Sequence, residues 1–81
     1  MEFEIKDGLV IDIKRTEKEL QDIVKGSYIA YSKQGSDVGY LRYKVENRIA
    51  KIDFLTVSDK DYLGKGVGHT LLNLFESDMK K

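Results

Sequence analysis

Between Ile52 and Met79 the hydrophobic pattern switches from strand-like to helix-like across a run of glycines. Ile52 to Val57 is an apolar, strand-like stretch. Tyr62-Leu63-Gly64-Lys65-Gly66-Val67-Gly68-His69-Thr70 follows, and Leu71, Leu72, Phe75 and Met79 then share one side of a helix. A strand, a glycine-rich bend and a helix N-terminus, in that order, form a place where a phosphate-bearing cofactor can sit. Glycine lets the backbone approach a ligand closely, and the first helical turn leaves its N–H groups free for anionic oxygens.

The chain upstream reads as strands and one more helix. Phe3-Glu4-Ile5 alternates, Asp7-Gly8 is a turn signal, and Leu9 to Ile13 is a strand. Thr16-Glu17-Lys18-Glu19 matches a capping box, and Leu20, Ile23 and Val24 lie on one side of the helix it would open. Gly26 is the expected stop. Tyr28 to Tyr31 reads as a strand and Gln34 to Asp37 as a turn. From Val38 to Val45, Gly39, Leu41, Tyr43 and Val45 alternate with Tyr40, Arg42 and Lys44, so one face is buried. Ile49 to Val57 is the last strand, with Ile52 and Phe54 on one face and Ile49, Leu55 and Val57 on the other. Short connections make the middle strands antiparallel neighbours. The expected order is β(β)αβββα, an α+β class, in a single domain over 1–81.

With 81 residues the chain forms one domain at most. Fourteen basic and fourteen acidic side chains give a formal net charge of zero. That argues against a broad nucleic-acid-binding face and leaves a local basic patch open. Cysteine is absent and there is one histidine, so thiolate chemistry and histidine-rich metal sites are excluded. Met1-Glu2-Phe3-Glu4 lacks the basic start and apolar run of a signal peptide, and no apolar stretch has membrane-spanning length. A cytoplasmic protein without membrane contact is the expectation.

Three cofactor readings of the glycine run compete. A Walker-type loop needs Lys-Ser or Lys-Thr after its last glycine, and Gly68-His69-Thr70 stands there instead. A dinucleotide fingerprint spaces its glycines differently, within a parallel βαβ unit. The third is a pyrophosphate site for coenzyme A. The plain alternative is a tight turn whose glycines only permit packing, although three glycines in five residues exceed what such a turn needs.

Leu55 to Leu72 resembles motif A of the GNAT acyltransferase superfamily: Arg or Gln, two residues, Gly, one residue, then Gly or Ala. Gly66 and Gly68 match, and Leu63 departs where the family usually has Arg or Gln. The departure touches one side-chain contact and leaves the backbone contacts intact. The resemblance implies a GNAT-like antiparallel meander with helices. It also implies acetyl-CoA as cosubstrate without a metal, and direct transfer of the acetyl group to an amine. Leu55, Thr56, Val57, Leu63, Gly64, Lys65, Gly66, Val67, Gly68 and His69 would hold the cofactor. A further strand and helix follow this region in the family. Their absence from the chain suggests an incomplete C-terminus, or pairing of two chains as a homodimer through the exposed sheet edge.

An amine acceptor must lose its proton, at about 4–5 kcal/mol for a lysine at neutral pH. Asp53, on the strand leading to the glycines, is the best-placed base, and Glu46 is second. Carboxylates at such positions are more often simply solvated. At His69 a helix dipole and a bound phosphate act in opposite directions on the proton. Tyr28, Tyr31, Tyr40 and Tyr43 fit an acceptor groove or cross-strand packing. A non-catalytic acyl-CoA-binding or protein-interaction module is the alternative function.

Overall fold

Two-residue turns and alternating apolar positions build most of the chain into one antiparallel sheet. The computed structural model describes residues 1–80. Strands β1 (Glu2–Glu4), β2 (Val10–Leu20), β3 (Ile23–Tyr31), β4 (Asp37–Glu46) and β5 (Ile49–Val57) lie in the order β1-β2-β3-β4-β5. A 3₁₀ turn at Lys6–Gly8 joins β1 to β2, and another at Lys60–Tyr62 follows β5. Helix α1 (Val67–Met79) closes the chain. Among the described residues, no helix is long and apolar enough to cross a membrane.

Alternation sends Ile11 and Ile13 of β2, Tyr28 and Ala30 of β3, and Leu41 and Tyr43 of β4 to one face. There they meet Val67, Leu71 and Phe75 of α1 in the core. These three recur every four residues and form the buried stripe of the helix. Gly39 permits the close approach of the two layers. A Cβ there would lie 2.9 Å from the Thr56 carbonyl oxygen and 3.0 Å from a Val67 methyl. Among the described residues, the opposite face of the sheet carries no helix, and none of its strand residues is buried.

The expected first helix does not form, so the order is βββββα and the GNAT-like β(β)αβββα arrangement is overturned. Thr16 to Leu20 continue β2, Gln21 and Asp22 turn with Gln21 at φ 52°, and Ile23 to Gly26 belong to β3. Leu20 pairs with Ile23, and Glu19 pairs with Val24. The three apolar residues grouped by helical spacing therefore split between the two sheet faces. Pairing along the full length of β2 and β3 outweighs a local capping preference, because propensity is a weak prior against tertiary context. Gly26 is not a helix stop; it lies buried within β3, opposite Tyr43.

The face assignment in the last strand also changes. Arg42 pairs with Phe54 but Tyr43 pairs with Ile52, so Asp53 is the extra residue of a β-bulge. The bulge restarts the alternation: Ile52, Leu55 and Val57 point to the helix side, and Ile49 and Phe54 to the open side.

Candidate functional site

The end of β5 and the start of α1 meet at Gly39, whose missing side chain leaves room for Val67 against Thr56 and Val57. Ser58 and Asp59 donate backbone hydrogen bonds to the Val38 carbonyl and pin the connection to β4. The Asp59 carboxylate accepts from the Asp61 N–H at 2.9 Å and caps the short 3₁₀ turn. The chain then bends through Gly64 (φ 71°) and Gly66 (φ 99°), conformations that side-chain-bearing residues rarely adopt.

Gly66 is the N-cap of α1, so no side chain caps the helix, and its first turn has no acidic residue. Among the described residues, the N–H groups of Gly64, Gly66, Val67, Gly68 and His69 have no hydrogen-bond acceptor. Five donors thus surround one left-handed bend, on the positive end of a thirteen-residue helix. Unpaired N–H groups at a helix start suit an anion.

Gly68 sharpens this reading. Its backbone is helical, and a Cβ there would meet no atom within 4 Å beyond its chain neighbours and its own helix turn. Neither an unusual φ nor close packing requires glycine there, yet glycine costs about 1 kcal/mol in a helix.

Lys65 is not a free cation. Its Nζ bonds the Asp7 carboxylate, and its carbonyl accepts the Lys6 N–H at 3.0 Å. The hydrogen bond from Lys65, with its charge, holds the Asp7 carboxyl below the usual carboxylate range. The N-terminal turn therefore supports the glycine bend from behind. Asp7 was invisible as a site residue because 58 positions separate it from Lys65. His69 and Leu63 are exposed, Leu63 at 58 %. Leu55 is 40 % exposed on the helix side of β5.

The structure places Val67 of the nominated run Leu63 to His69 beside Thr56 and Val57 at Gly39, with Leu55 next along the strand opposite Leu41, and leaves Asp53 apart. Asp53 stands on the bulge four residues before Val57, roughly 13 Å along the strand. Glu46 ends β4 and lies 3.8 Å from Lys44 Nζ.

Tyr28 and Tyr43 belong to a different cluster, at the far end of α1, about 18 Å along the helix from Gly66. The Tyr28 hydroxyl donates to Asp78 at 2.5 Å. The Tyr43 hydroxyl donates to Glu17 at 2.8 Å and accepts from Arg15. Arg15 also bonds Glu17 at 2.7 Å and Asp78 at 3.4 Å. Burial and then the carboxylate partner push both phenols up. The Tyr43 hydrogen bond, helped by Arg15, holds Glu17 down. The network fastens α1 to the sheet and supplies no proton to the glycine corner. Compared with known proteins, the chain matches no protein-family model, no curated protein and no solved structure.

Proposed function

We propose that the chain binds acetyl-CoA at the corner between β5 and α1, and that it serves transfer of the acetyl group to an amine. One observation carries the reading: a helix start without its own cap, five unpaired N–H groups around it, and Gly68 in the first turn with open space above it. The pyrophosphate would take these donors, as anions do at helix N-termini. The outer edge of β5 is unpaired, so Leu55 to Val57 offer backbone groups to the amide-bearing pantetheine arm. Kinship with GNAT acyltransferases rests on the Gly66 and Gly68 motif. The order βββββα does not support it.

A second reading, an acyl-CoA-binding module without turnover, is favoured by one observation. The nominated base, Asp53, lies on the bulge and away from the corner.

Amide NMR titration with acetyl-CoA, coenzyme A and ATP tests both. Shifts concentrated at Leu55 to Val57 and Leu63 to Thr70, stronger with the CoA species than with ATP, support the site. Absence of shifts at millimolar ligand overturns it. Release of free CoA thiol on adding polyamines or lysine peptides separates the enzyme from the module. Gly68→Asp should uncouple fold from ligand. A carboxylate in the first turn favours the helix by about 0.3–1 kcal/mol and repels the pyrophosphate. Its melting temperature should hold or rise while acetyl-CoA binding falls at least about tenfold, by calorimetry.

A further inference from the structure

The uncovered face of the sheet carries a row of like charges. Lys18 pairs across the strands with Lys25, Lys25 with Lys44, and Lys44 with Lys51. Four ammonium groups thus cross four adjacent strands, over a span of about 14 Å at the usual strand spacing. Like charges directly opposite one another destabilise a sheet. Among the described residues, Glu46 at 3.8 Å from Lys44 is the only carboxylate paired with the row.

The neighbouring rows supply cation and aromatic surface. Beside the lysines lie Thr16, Ser27, Arg42 and Phe54, and beyond them Lys14, Ile29, Tyr40 and Thr56. The Tyr40 and Phe54 rings stand 5.5 Å apart, and the Arg42 guanidinium lies 5.7 Å from the Tyr40 ring centre. Phe54 is 48 % exposed. Asp12 and Asp37 lie toward the other end of the face, and Asp53 on the bulge borders the groove beside Arg42. The zero net charge hides this arrangement, because the two-residue period of the strands sorts the charges. The helix side of β2 takes Glu17 and Glu19 with Arg15, and the open side takes Lys14 and Lys18, with Asp12 toward the other end.

We propose that this face binds single-stranded nucleic acid. The phosphates run along the lysine row and the bases rest on Phe54 and Tyr40. A polyanion relieves the repulsion within the row, and aromatic faces beside a cationic track are how sequence-tolerant single-strand binders hold bases. The site meets the glycine corner only at Thr56, and the proposal does not depend on acetyl-CoA binding.

Fluorescence anisotropy of labelled dT and U oligonucleotides tests it, with inorganic polyphosphate and phosphatidylserine vesicles as competitors. Four phosphate contacts on a single strand predict an affinity loss of about 50-fold between about 50 and 200 mM salt. Lys25→Glu/Lys44→Glu should abolish binding and raise the melting temperature of the free protein, since two of the three repulsive pairs become attractive and only the central one stays like-charged. Lys18→Gln/Lys51→Gln is the milder variant should the first fail to fold. Tyr40→Ala/Phe54→Ala should weaken oligonucleotide binding about tenfold and leave polyphosphate binding unchanged. No binding at low salt overturns the proposal. So does full binding by either the lysine or the aromatic variant, or displacement by vesicles at a lower concentration than by unlabelled oligonucleotide.

Discussion

Gly26 has a reason that lies on another strand. A Cβ at Gly26 would sit 2.2 Å from Tyr43 Cζ and 2.3 Å from its hydroxyl oxygen. The Tyr43 ring covers this glycine, is buried, and is held at its tip by Arg15 and Glu17, so it cannot swing away. Gly26→Ala should therefore lose about 1–3 kcal/mol in urea denaturation, as overpacked cores do. The same network predicts two pH limbs. Tyr28 and Tyr43 have phenols raised by burial and carboxylate partners. Their contribution is complete below the free-phenol value of about 10 and is lost as pH rises toward the folded-state values. Glu17 is lowered, so its contribution is present above the free-carboxylate value and is lost as pH falls through the folded-state value. Melting temperature against pH should fall at both ends, and Tyr43→Phe should shrink both limbs, leaving Tyr28 to carry the rest of the alkaline one. An unchanged profile in that variant would count against the network.

The hairpin of β2 and β3 projects past the helix, and all residues from Lys14 to Asp22 are exposed. Few apolar contacts hold its tip, so it should open locally before the rest. In native-state hydrogen exchange the amides of Thr16 to Leu20 should exchange faster than those of Ile11, Ile13, Tyr28 and Ala30. Uniform protection would refute this. The exposure also explains why the sequence misled here. Thr16 to Glu19 bury nothing, so no alternation of apolar residues marks the strand, and the only local signal is a capping box. Val38 to Val45 was legible because Gly39, Leu41 and Tyr43 alternate as buried positions, although Val38 beside them is an unpaired buried residue, and Ile49–Val57 matched to the residue. Within that strand, the bulge at Asp53 escaped notice, because an extra residue leaves no mark in the apolar pattern. The glycine bend was legible because Gly64 and Gly66 need positive φ. Its support by Asp7 and the lysine row were not, since both depend on which residues tertiary pairing brings together.

For the molecule as a whole, the strand order leaves two edges of unequal consequence. β1 is three residues long and pairs only Val10 to Asp12 of β2, which leaves the outer side of the charge-rich Lys14 to Leu20 open, whereas β5 offers nine residues with one side unpaired and more apolar surface. Along β5, Ile49, Ile52, Phe54 and Leu55 are 39–57 % exposed. Long apolar edges invite pairing with another chain. Lys51 and the bulge at Asp53 interrupt this edge, and interruptions of that kind are how native sheets limit such pairing. The remaining pull should produce weak association through β5, with the sedimentation coefficient rising between about 10 and 500 µM protein. Ile52 lies on the helix side of the edge strand, so Ile52→Lys places a charge beside the unpaired backbone without entering the buried core. That variant should sediment as a monomer throughout. Saturating acetyl-CoA should act in the same direction, because a pantetheine arm along Leu55 to Val57 would occupy the backbone groups that a second chain needs. If wild type associates and Ile52→Lys does so equally, the contact lies elsewhere. If acetyl-CoA binds without shifting the association, the cofactor does not use the edge of β5.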